Sequence, residues 1–288
     1  MKDVRFGVTL PQFTSDPDRF VSGALRAVEE GFDSVWVFDH LWPLGADRER
    51  PILECWTSLA WLAARTDLHI GTLVTRSSLR HPALLAKMAA TVAEIAPGRV
   101  TIAIGSGDAI NRAENEAYGA PYFSGGTRVR QLISTLEVVQ RYLKAGEATL
   151  DDEFVTVDGL PASPRPPQPP AVWVGGRSRE LLEVAGRLAD GWNGWGGDVD
   201  AFAQDAAIVK RVAGDRAFEV TWAGQVVLAD TDEAAGDHPA GTVAGGPRRI
   251  RDVLSRLVDA GARHLIASVP SVQPDDYSAL AGVVRELS

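Results

Sequence analysis

Four short stretches hold residue types that can do chemistry. Asp39-His40 sets a carboxylate beside an imidazole. Histidine titrates near neutrality and an adjacent acid can tune or orient it, so the pair can share proton transfer. Gly105-Ser106-Gly107-Asp108-Ala109-Ile110-Asn111 offers two glycines through which a planar ligand or phosphate can approach the backbone, then an acid and an amide. Gly175-Gly176-Arg177-Ser178 puts backbone amides, a guanidinium and a hydroxyl ahead of a helical stretch, a combination suited to an anion. Leu73-Val74-Thr75-Arg76, read from its own residues, is an ordinary buried strand. Plainer readings stand beside these: Asp39 and His40 as loop caps, and the glycine runs as tight turns.

Other chemistries find no pattern. The histidines at 40, 69, 81, 238 and 264 lack the paired spacing of a zinc protease, and Cys55 is alone, so no metal site is expected. Ile110 stands where a dinucleotide fingerprint needs its third glycine. No Gly-x-Ser-x-Gly elbow exists. Cys55 lies in an apolar stretch and reads as a buried structural thiol. His69, at a strand start, and His81, before Pro82, read as structural. Most tryptophans are core candidates; Trp42, Trp192 and Trp195 fall near strand ends, and Trp42 and Trp195 are expected in a substrate pocket.

These stretches must be positioned by the elements around them. Short β-branched runs near Val4–Leu10, Ser34–Phe38, Leu68–Thr75, Val100–Ile104, Ala171–Val174, Gly191–Trp195, Phe218–Ala229 and His264–Val269 predict strands. Amphipathic stretches between them predict helices, the first opened by Asp16-Pro17 and ended by Gly31. Asp151–Leu160 reads as a small extended excursion. Eight alternating units require a parallel sheet and favour a closed (β/α)8 TIM barrel, one domain over residues 1–288. The four stretches then follow strands two to five, at the barrel end where βα loops build active sites.

The 288 residues suit one barrel of about 250 residues. A net charge of −9 argues against nucleic acid or an anionic membrane as partner. One cysteine excludes an internal disulfide, the N-terminus lacks a signal pattern and no long apolar run exists, so a cytoplasmic protein is expected.

Several motifs resemble the luciferase-like flavin and deazaflavin oxidoreductases. They are Gly31-Phe32-Asp33-Ser34-Val35-Trp36-Val37-Phe38-Asp39-His40, the run His81–Thr91 with Pro97-Gly98-Arg99-Val100, Ile104-Gly105-Ser106-Gly107, Val174-Gly175-Gly176, Ala189-Asp190-Gly191-Trp192 and Gly261–Ile266. The resemblance spans nearly the whole chain in order. Asp39-His40 is similar to the branch that uses the deazaflavin coenzyme F420, and Gly105–Asn111 looks like the corresponding run of deazaflavin-dependent sugar-phosphate dehydrogenases. Leu44 occupies the place of a tryptophan in those enzymes, with Trp42 two residues earlier.

The resemblance implies a non-proline cis peptide at Leu73-Val74 facing the cofactor ring. It also implies cofactor contacts by Asp39, Leu73, Val74, Thr75, Gly105, Ser106, Gly107, Asp108, Asn111, Gly175, Gly176, Arg177 and Ser178. The expected reaction is hydride transfer between the deazaflavin C5 and a small organic substrate. His40, oriented by Asp39, is the first proton-transfer group and Asp108 the second. A homodimer is expected. Two rivals stand: an FMN-dependent monooxygenase fed by a partner flavin reductase, with Ala109–Thr127 and Asp230–Pro247 as lids, and a cofactor carrier without turnover.

Overall fold

The computed structural model describes residues 4–43, 49–196, 198–269 and 274–286. Leu44 lies outside the described residues. Eight parallel strands close on themselves: β1 (Arg5–Thr9), β2 (Ser34–Val37), β3 (His69–Arg76), β4 (Val100–Gly105), β5 (Ala171–Gly175), β6 (Gly191–Trp195), β7 (Glu219–Leu228) and β8 (His264–Ser268). Each pairs with the next, and β8 returns to β1 through the Arg5–His264 to Val8–Ala267 register. The result is the (β/α)8 TIM barrel.

One helix follows each strand: α1 (Pro17–Glu29), α2 (Cys55–Arg65), α3 (Pro82–Ile95), α4 (Gly126–Gln140), α5 (Arg179–Leu188), α6 (Val199–Ala213), α7 (Pro247–Asp259) and α8 (Pro274–Arg285). Local chemistry sets their ends. Asp16 accepts the Asp18 N–H at 3.0 Å with Pro17 in the first turn, and Gly31 (φ +79°) takes the left-handed turn after α1. His81 caps α3 through Ala83 N–H at 3.3 Å, and Cys55 is fully buried; both fit the structural readings.

The connections hold more structure than expected. The excursion is an antiparallel hairpin, Glu147–Asp151 with Thr156–Pro161. After β4 come a 3-10 turn (Ala109–Asn111) and a short helix (Arg112–Ala117). After β7 come a helical turn (Asp232–Ala235) and a three-residue strand (Val243–Gly245) paired to Val226–Leu228 outside the barrel. A π-helical turn, Arg141–Ala145, extends α4.

Two cores hold the fold. One lies between strands and helices; the other is the barrel interior, with Trp36, Leu73, Ala103, Trp173, Ala223 and Ile266. Trp36 stacks on Trp173 at 5.2 Å, and His264 meets both rings edge-on. Two indoles fit inside because glycines face them. A Cβ on Gly71 would lie 2.2 Å from Trp36, and one on Gly191 2.7 Å from Trp173. The strand starts form a polar floor, with Ser34 Oγ 2.7 Å from His264 Nε2 and His69 Nε2 2.8 Å from Thr101 Oγ1. Burial and the Arg5 and Arg99 charges hold His69 down to about 4; burial, then Arg5 and His69, hold His264 well below the usual histidine range. Among the described residues no helix is long and apolar enough to cross a membrane.

Candidate active site

Above the interior core, at the strand C-terminal ends, β3 breaks register between Thr72 and Thr75, and the Leu73-Val74 peptide is cis. Leu73 drops into the inner core, while Val74 remains half-buried at its top. Val74 can sit there because β4 and β5 end in glycine. A Cβ on Gly105 would lie 2.7 Å from Val74 Cγ2, and one on Gly175 2.7 Å from Val74 Cγ1. The strand-three bulge and both glycine stretches therefore converge on one side chain.

Asp39 and His40 are neighbours in sequence but face different partners. The buried Asp39 carboxylate receives a fork from Arg80, Nη1 to Oδ2 at 2.7 Å and Nη2 to Oδ1 at 2.9 Å, plus the Arg76 N–H at 3.0 Å. Arg80 also binds Glu54, the cap of α2, at 2.7 Å. These acids outweigh the burial of Arg80 and raise its pKa. The expectation that Asp39 orients His40 is thus corrected: both Asp39 oxygens are engaged by β3 and its loop.

The partner of His40 is Glu114, from the short helix after β4. Its Oε2 lies 3.2 Å from His40 Nδ1. Its Oε1 accepts the backbone N–H of Leu41, and that of Trp42 at 3.3 Å. Arg76 Nη2 is 2.8 Å from Oε1, an ion-pair distance without hydrogen-bond alignment. Burial pushes the Glu114 carboxyl up, but His40, the Leu41 N–H and Arg76 together hold it below the ordinary glutamate value. Arg76 is itself buried and gives Nη1 to Asn115 Oδ1 at 2.9 Å.

The remaining candidates separate. Asp108 is exposed and caps the 3-10 turn, accepting Ile110 N–H at 3.0 Å, with Asn111 Oδ1 receiving its own N–H at 2.9 Å. Gly107 (φ +71°) makes that turn possible. Arg177 is paired with Asp205 at 2.7 Å, and Ser178 caps α5 through Leu181 N–H at 3.3 Å. Neither therefore offers an uncommitted group of the kind the anion reading used. Trp192 is a core residue, stacked on Phe202, whose indole N–H binds the Gly176 carbonyl at 2.6 Å. Trp42 packs on Tyr118, and Trp195, 41% exposed, meets Phe38 edge-on.

A tight cleft lies beside the β4 loop, lined by Ser106, Gly107, Asp108, Asn111, Arg128 and Gln131 among others. Arg128 Nε and Nη1 and Gln131 Oε1 are buried there without a protein hydrogen-bond partner. Arg128 lies in the first turn of α4, whose N-cap Gly125 makes no side-chain cap. The Arg128 guanidinium lies over the Tyr122 ring at 6.0 Å, and with two N–H groups unpartnered at a helix N-terminus it suits an anionic ligand. The sequence reading missed Glu114, Arg76, Arg80 and Arg128. Glu114-Asn115 directly after strand four was the available signal, since that loop is expected at a barrel mouth.

Residues 4–276 match the luciferase-like monooxygenase family. The chain belongs to that family. Among relatives, an F420-dependent glucose-6-phosphate dehydrogenase of Kineococcus radiotolerans is 31% identical over 179 residues, 61% of this chain and 52% of that protein. An F420-dependent hydroxymycolic acid dehydrogenase of Mycobacterium tuberculosis is 30% identical over 189 residues, 65% of this chain and 51% of that protein. The chain thus spans about half the length of these relatives. The fold matches an F420-dependent secondary alcohol dehydrogenase solved with an F420-acetone adduct, at TM-score 0.87, 18% identity and 99% of both chains.

Proposed function

We propose that this protein is an oxidoreductase that transfers a hydride between coenzyme F420 and a small organic substrate. The observation that carries the reading is the join of two features at one strand end: the Val74 platform and, through Ser106 and Gly107, the cleft with the unpartnered Arg128 N–H groups. A planar ring with a phosphate-bearing tail needs both. The F420-dependent relatives favour the deazaflavin over FMN.

When bound, the deazaflavin supplies a hydride donor or acceptor at C5. Leu73, Val74 and Thr75 would back the ring. Gly105 and Gly175 make room for Val74 beneath the ring, Ser106 and Gly107 line the path of the tail, and Arg128 with the α4 N-terminus would neutralise the phosphate. Asp39 acts at a distance by tying Arg76 and Arg80 to the end of β2. His40 is the proton-transfer group. With Nδ1–H given to Glu114, Nε2 is left to accept or return a substrate proton. Asp108 holds the glycine turn through its cap.

The test is a titration of the purified protein with F420 and, separately, FMN, followed by tryptophan quenching, for wild type, Arg128→Ala and Arg128→Lys. Saturable F420 binding is expected. It should weaken roughly 10- to 100-fold in Arg128→Ala, in line with the loss of charge-assisted hydrogen bonds, and recover partly in Arg128→Lys. FMN binding without an F420 response would instead support a reduced-FMN monooxygenase with a partner reductase.

A further inference from the structure

Phe38 and Val74 both cap the interior core at the barrel mouth. Phe13 lies against Phe38 at 6.0 Å and 40°, and Trp195 meets Phe38 edge-on at 6.0 Å and 71°. Three rings following β1, β2 and β6 thus meet in an aromatic wall at the mouth. Tryptophan carries one of the largest apolar surfaces of any side chain, yet Trp195, at the end of β6, stays 41% exposed. Such a face is apolar area that a ligand covers.

The two arginines at and after the end of β3 are already matched by acids. Arg80 is forked onto Asp39 and bound to Glu54, and Arg76 faces Glu114 and Asn115. Arg50 stacks over the Phe13 ring at 5.3 Å. Neither Arg80 nor Arg76 is therefore left to take a substrate phosphate, and Arg50 is held on the Phe13 ring, while His40 stands two positions after Phe38 to serve a carbonyl or hydroxyl oxygen.

We infer that the Phe13–Phe38–Trp195 wall is the substrate subsite, and that it takes an uncharged carbonyl compound, or the matching secondary alcohol, carrying a planar aromatic or unsaturated ring and no phosphate. The inference rests on the proposed hydride-transfer reading. A flat ring stacks on the wall, whereas a phosphorylated sugar would lose hydration of its phosphate without gaining an ion pair.

The test uses acetophenone and glucose 6-phosphate as probes, by saturation-transfer NMR on the purified protein and by steady-state oxidation of reduced F420 by acetophenone or reduction of F420 by glucose 6-phosphate. Acetophenone ring protons should receive saturation, and glucose 6-phosphate should be silent in both assays. Trp195→Ala should raise the acetophenone KM about 10-fold or more, and Trp195→Phe should restore most of it, as expected for an aromatic contact. Thermal unfolding of each variant checks that it folds, and Phe13→Ala provides a second variant should Trp195→Ala not. Preferred binding and turnover of glucose 6-phosphate overturns the inference, as does an unchanged acetophenone KM in a folded Trp195→Ala or Phe13→Ala protein. Absence of F420 binding overturns the hydride-transfer reading instead, and the NMR contrast then decides the subsite alone.

Discussion

Glu114 reaches His40 from 74 residues along the chain, with Oε2 3.2 Å from Nδ1 and Oε1 taking the next two backbone N–H groups. One carboxylate therefore fixes both the imidazole and the loop that carries it. It also faces the buried Arg76 guanidinium, so its charge is needed for stability as well as for orientation.

Glu114→Gln keeps the shape and removes the charge. Turnover should fall about 10- to 100-fold, part of the gain a positioned acid or base gives, with KM changed far less. Glu114→Asp should recover part of it. The same Glu114→Gln protein should lose about 3 kcal/mol of stability, because Arg76 loses a buried counter-charge. Steady-state kinetics well below the unfolding temperature, with a parallel denaturant titration, check both. Unchanged kcat in a folded Glu114→Gln protein would remove His40 positioning from the mechanism.

Gly175→Ala tests the platform. The new Cβ would lie 2.7 Å from Val74 Cγ1. Overpacking of this kind typically costs about 1–3 kcal/mol. F420 affinity should fall with it, since Val74 must shift. Adding Val74→Ala should relieve the clash, giving a coupling energy of about 1 kcal/mol or more in a double-mutant cycle of unfolding free energies.

The polar floor predicts the acid response. His69 is held to about 4 in the fold against the ordinary histidine value of 6.5, and His264 is held well below it. Unfolded chains then bind more protons than folded ones as pH falls below about 6.5, so stability declines from there toward pH 4. The sign is that of a depressed folded histidine: full stability lies above the unfolded pKa. His69 alone can contribute up to about 3 kcal/mol over that window. Below pH 4.5, Glu114 and Glu54, both lowered in the fold, add further loss. Unfolding temperatures at pH 7.5 and pH 5 should differ clearly in the wild type and less in His69→Gln.

Much of this protein is legible in one dimension. A strand buried on both faces must be a short apolar run, and a helix needs a stripe and a cap, so β4 at Val100–Gly105 and α5 at Arg179–Leu188 follow from local patterns. The order of eight such units suffices for a barrel, and the barrel places Asp39, Gly105 and Gly175 at one end. The short helix Arg112–Ala117 has no apolar stripe to announce it, because the barrel mouth rather than the core receives its buried face.

What only the tertiary structure decided is which charge meets which. In sequence Asp39 adjoins His40, and that adjacency suggested a pair; both lie just past the end of β2, where adjacency along the chain does not fix which partner a side chain meets. Asp39 turns to Arg80 and His40 to Glu114. A glutamate 74 positions away carries no local mark of burial, and an arginine carries none of being unpaired. Coulombic partners are chosen by distance in space, and the pairing of β2 with β3 and of β3 with β4 brings the ends of these strands within that distance.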